Sequence, residues 1–86
     1  MSSPWFIAAE RARLEKSLPQ GVRLRWLLGQ QAYQLIVKLE GESKARILRE
    51  IPRSEIQKWT NKDSVIDYVA RRSLYEAGLP VEMRRS

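Results

Sequence analysis

Val22-Arg23-Leu24-Arg25-Trp26-Leu27-Leu28, followed by Gly29-Gln30-Gln31 and then Tyr33-Gln34-Leu35-Ile36-Val37-Lys38-Leu39, is the stretch that decides the fold. Successive side chains of a strand point to opposite faces, so a period of two is the mark of β structure. Val22, Leu24, Trp26 and Leu28 share that period with Tyr33, Leu35, Val37 and Leu39. A glycine-led turn between the two runs predicts a tight antiparallel hairpin.

Working outward, Glu40-Gly41-Glu42-Ser43 is a second turn signal, and Ala45, Ile47, Arg49 and Ile51 then alternate with Arg46, Leu48 and Glu50 as a third strand that Pro52 ends. Short loops make neighbouring strands antiparallel. Ser54-Glu55-Ile56-Gln57 has the form of a capping box and opens a short helix. Thr60-Asn61-Lys62-Asp63 reads as a break and a new cap, and a final helix is predicted over about 63–77, with Ile66, Val69, Ala70, Leu74 and Ala77 on one face; Gly78, Leu79 and Pro80 close it as a left-handed cap, an apolar contact and a breaker. Before the meander, Ser3-Pro4 signals a helix start, and Trp5 to Ser17 carries a thin stripe of Ile7 and Leu14, continued by Leu18, that Arg11 interrupts. That helix is expected to dock lightly.

The fold class is therefore α+β: an N-terminal helix, a three-stranded antiparallel meander, a short helix and a C-terminal helix. With 86 residues, one domain over 1–80 with a frayed tail over 81–86 is expected, and there is little room for a deep pocket. Cysteine and histidine are both absent. Their absence excludes disulfides, thiolate metal sites, Cys-His and Ser-His nucleophile pairs and the usual general base near neutral pH, so no cofactor, metal, small-molecule substrate or catalytic residue is expected. The chain start lacks a basic leader and Glu10 interrupts its apolar run, which predicts a cytoplasmic protein without a membrane anchor.

Two faces follow from the strand alternation. The first carries Val22, Leu24, Trp26, Leu28, Tyr33, Leu35, Val37, Leu39, Ala45, Ile47 and Ile51 and is read as the core. The second places Leu27, Ile36 and Leu48 at its centre inside a rim of Arg23, Arg25, Gln34, Lys38, Arg46 and Glu50. An apolar centre with a polar rim is the anatomy of a contact surface. Its cover is either the N-terminal helix or a partner, which includes a second copy. Arg23, Arg25, Leu27, Ile36, Lys38, Arg46 and Leu48 are the candidate partner-binding residues.

A net charge of +6 makes nucleic acid an alternative partner, but the basic residues are spread along the chain and interleaved with acids. The second face also lacks the aromatic residues on which single-strand binders stack bases. Trp5-Phe6-Ile7 reads as a staple for the first helix or as a sticky anchor, and Arg71, Arg72, Arg84 and Arg85 as solvated charge.

Residues 24–58 resemble the bacterial flagellar FlaG family. The resemblance rests on Leu24-Arg25-Trp26, Leu35-Ile36-Val37-Lys38-Leu39 and, most specifically, Ile47-Leu48-Arg49-Glu50-Ile51-Pro52-Arg53-Ser54-Glu55-Ile56. The second turn, Gly41-Glu42-Ser43-Lys44-Ala45, departs from the family's pattern, and the final helix extends beyond the family's usual end. What the resemblance implies is a small cytosolic flagellar accessory protein linked to filament assembly, with a flagellar protein as partner and no catalytic residues.

Overall fold

The computed structural model describes residues 4–80, so the expected Ser3 cap and the tail over 81–86 lie outside the described residues. The element order is α1 (Pro4–Glu15), β1 (Val22–Leu27), β2 (Ala32–Val37), β3 (Arg46–Pro52), α2 (Arg53–Gln57) and α3 (Lys62–Glu76). The strands form one antiparallel sheet in the order β1-β2-β3. This is the α+β meander that the alternation predicts.

All three helices lie on the same side of the sheet. Ile7 and Leu14 of α1, with Leu18 just beyond it, are buried in one cluster with Leu24, Tyr33, Leu35, Ile51, Ile56 of α2, and Ile66, Ala70 and Leu74 of α3. Burial of these side chains is the main stabilising term, at about 25 cal/mol for each Å² removed from water. Gly78 ends α3 with φ 73°, where a Cβ would be strained. Leu79 N–H then donates to Leu74 O at 3.0 Å and Gly78 N–H to Tyr75 O at 3.0 Å, the two bonds of a Schellman cap, while Leu79 packs on the core.

Three expectations are corrected. Leu28, expected at the end of the β1 core face, leaves the strand for a short 3-10 turn over Leu28–Gln30 with Gln31 left-handed at φ 51°, and is 73% exposed. The capping box does not form: α2 begins at Arg53, with Pro52 rather than Ser54 at the N-cap and no side-chain cap. Tertiary contacts fix that start, since Arg53 N–H donates to Gln31 O at 3.1 Å and the Arg53 side chain is held by Glu10. The new cap expected within 60–63 is Asn61, whose Oδ1 accepts from Ser64 N–H at 3.2 Å, and α3 runs from Lys62.

The third correction is the strength with which α1 docks. Its apolar stripe is thin, but two of its carboxylates reach the sheet. Glu15 accepts the Leu24 N–H at 2.8 Å and lies 3.5 Å from Arg23, so it occupies part of the outer edge of β1. Glu10 accepts from the Tyr33 hydroxyl at 2.7 Å and from Arg53 Nε at 2.9 Å and a terminal guanidinium nitrogen at 3.2 Å. The Tyr33 hydroxyl also lies 3.4 Å from the Ile7 carbonyl, and its ring meets Trp26 edge-on at 5.0 Å.

Candidate interaction face

The register of the three strands fixes which residues share the face away from the helices. Arg23 pairs with Ile36, which pairs with Ile47; Arg25 pairs with Gln34, which pairs with Glu50; Leu27 pairs with Ala32, which pairs with Pro52. Directly paired residues of antiparallel strands project to the same side. The face is thus three rows of three side chains, and Lys38 stands beyond the row of Ile36.

α1 does not cover these rows, since its buried residues sit in the cluster on the opposite side of the sheet. Ile47 is 64% exposed, Ile36 and Leu27 are half-buried, and Arg23, Arg25, Lys38, Glu50 and Pro52 are exposed. Of the seven candidate residues, Arg23, Arg25, Leu27, Ile36 and Lys38 are brought together here. Arg46 and Leu48 are not.

A β-bulge separates those two from the rest. The register passes from Leu35 opposite Arg49 to Ile36 opposite Ile47, so Leu48 is the extra residue and the strand's alternation reverses across it. Leu48 packs against the core, and Ile47 takes the place on the open face that simple alternation gives to Leu48. Arg46 falls opposite Val37, toward the helix side, and pairs with Glu42 at 2.8 Å. Arg49 likewise turns to α3 and meets Glu76 at 3.3 Å. Ile47 is the residue that sequence reasoning missed; the spacing of three between Leu48 and Ile51, both apolar, is the signal that could have exposed the bulge.

Electrostatically the face is graded. Arg23 and Arg25 stand on β1 and Glu50 on β3, with the uncharged Gln34 between. Among the described residues, the Arg25, Lys38 and Glu50 side chains have no hydrogen-bond or ion-pair partner, and the Gln34 carboxamide oxygen, shielded from water, accepts no hydrogen bond. Such an orphaned acceptor, already shielded by its own chain, is a local cost to the fold.

On the helix side, burial alone would raise the Glu10 carboxyl, but hydrogen bonds from Arg53 and Tyr33 and the charges of Arg53 and Lys62 outweigh it and hold the group below the ordinary glutamate range. Burial and the adjacent carboxylate push the Tyr33 phenol far above its usual value. This trio is an ion-pair anchor between α1, β2 and α2. Trp5 is 75% exposed and Phe6 about half exposed, with the Arg53 guanidinium 5.3 Å above the Phe6 ring, so the staple of α1 is Ile7 rather than Trp5. A groove of about 300 Å³ lies beside Trp5, Phe6 and Arg13, and one of about 470 Å³ between Gly21, Leu39 and Leu74. Among the described residues no group of three or more carboxylates could hold a metal ion, and no helix is long and apolar enough to cross a membrane.

No family model, no curated protein and no solved structure matches the chain.

Proposed function

We propose that this chain is a small, non-enzymatic, cytoplasmic protein-interaction module that binds a protein surface through the open face of its sheet. The observation that carries this reading is Ile47, 64% exposed beside Ile36 on a face that none of the described helices covers. Apolar side chains gathered inside a charged rim gain from association roughly in proportion to the area they lose to water. Residues 24–58, whose pattern resembles the flagellar FlaG family, fall on β1, β2, β3 and α2, so a flagellar component is the first partner class to test.

The face is a better dock than the sheet edges. Glu15 occupies part of the β1 edge, while β3 carries the bulge and the charges of Arg46, Arg49 and Glu50, features that oppose strand addition. Arg23, Arg25 and Lys38 also favour the nucleic-acid reading, against which stand Glu50 within the same face and the placement of Trp26 and Tyr33 on the core side. That alternative requires affinity that falls steeply with salt.

The test is the double substitution Ile36→Asp with Ile47→Asp, followed by size-exclusion chromatography of the tagged chain in lysate of its source cells. The wild type is expected to elute as a complex well above its own 10.1 kDa. The variant is expected to remain folded at the working temperature, with a melting temperature lowered by about 5–15 °C, and to elute alone. Unchanged elution of the variant, or nuclease-sensitive elution of the wild type, overturns the reading.

A further inference from the structure

We propose that a second copy of the chain closes the open face, the two sheets packing face to face about a two-fold axis that runs along β2, with Arg25 of each copy meeting Glu50 of the other. The inference rests on the reading of this face as a protein-binding surface and names its occupant.

The geometry follows from the row Arg25, Gln34, Glu50, which crosses the sheet from β1 to β3. A closed dimer must present the same patch from both copies. A two-fold along β2 lays β1 of one copy over β3 of the other and β2 over β2. Arg25 then faces Glu50 twice, once on each side of the axis. Within one copy these two residues stand two strands apart, about 10 Å, and form no ion pair. Packed sheets are also separated by about 10 Å, a gap that an arginine and a glutamate span together.

The same axis passes Gln34 against Gln34. A carboxamide supplies both a donor and an acceptor, so this position brings no like charges together on the axis. Ile36 meets Ile36 one row away, and the aliphatic stem of Arg23 lies over Ile47. Lys38, four residues along the chain from Gln34, is carried toward the rim, where the roughly 30° angle between packed sheets separates the two copies' lysines. The other two-fold, across the strands, sets Arg25 against Arg25 and is rejected.

Three strands of about six residues make a patch of roughly 14 by 20 Å, small beside the roughly 800 Å² per partner of a standard interface. Association is therefore expected in the micromolar range or weaker. Sedimentation equilibrium over a wide concentration range is expected to raise the wild-type mass from 10.1 kDa toward twice that value. Arg25→Glu alone and Glu50→Arg alone are each expected to weaken the dimer at least ~10-fold, and the double swap to recover the wild-type constant within about threefold, because it restores opposite charges across the axis. Both positions are exposed and unpaired in the monomer, so unchanged thermal melts at low concentration verify that every variant is folded. A wild type that stays at 10.1 kDa throughout, or a double swap no better than the weaker single variant, overturns the dimer. Failure of that kind leaves the face reading to be judged separately by the Ile36 and Ile47 substitutions.

Discussion

Replacing Glu10 with alanine is expected to lower the melting temperature by roughly 10–20 °C. The substitution strands two partners at once. Arg53, only 16% exposed, loses both of its hydrogen bonds to carboxylate oxygens, and the Tyr33 hydroxyl loses its 2.7 Å contact. Leaving partly buried donors unpaired costs about 2–3 kcal/mol, and a domain of this size loses about 4–8 °C for each kcal/mol. Total stability of only about 4–13 kcal/mol makes that loss severe. pH sets a second signature. Because the folded state holds the Glu10 carboxyl below its ordinary value, the folded chain binds fewer protons than the unfolded one across that interval. The contribution is complete above the ordinary glutamate value and disappears as pH falls through the lowered one. Thermal melts by circular dichroism from pH 7 to pH 3 are expected to show the wild type and Glu10→Ala converging at the acid end. A melting temperature within 2 °C of wild type at pH 7 would contradict the anchor.

The second large effect separates two adjacent residues. Leu48→Asp is expected to destabilise the fold by about 2–4 kcal/mol, since it drives a carboxylate against the core, whereas Ile47→Asp is expected to cost under about 1 kcal/mol. Regular alternation requires the opposite ranking, with Ile47 inside and Leu48 outside. Denaturant midpoints of the two variants measure the bulge directly, and a greater loss for Ile47→Asp would show that β3 runs in unbroken alternation.

These two effects mark where the sequence was and was not legible. The period of two in β1 and β2 set the meander and the core positions of Val22, Leu24, Tyr33, Leu35 and Val37, because a register slip there would turn every apolar side chain outward. β3 carries Ile47 and Leu48 side by side, and either can serve the core; helix packing against the far end of the sheet decides between them, which no local pattern records. Capping was legible where a polar residue could act alone, as at Asn61, and not at Ser54, where Pro52 and the long-range hold of Glu10 on Arg53 fix the helix start. The role of Glu10 and Glu15 was hidden for the same reason. A carboxylate on a helix reads as solvated charge until the strand it reaches is known. Five of the seven candidate face residues came together because they lie on β1, on β2 or just past its end, ahead of the bulge.

A photo-reactive amino acid at position 47, compared with one at Tyr68 on α3, which is equally exposed, tests the interaction face most directly. Irradiation in living cells is expected to yield protease-sensitive, nuclease-resistant adducts from position 47 and little from position 68. A second copy of the chain adds 10.1 kDa to each adduct. No adduct at position 47, or equal yields at both positions, would contradict the assignment of the open sheet face as the site of protein binding.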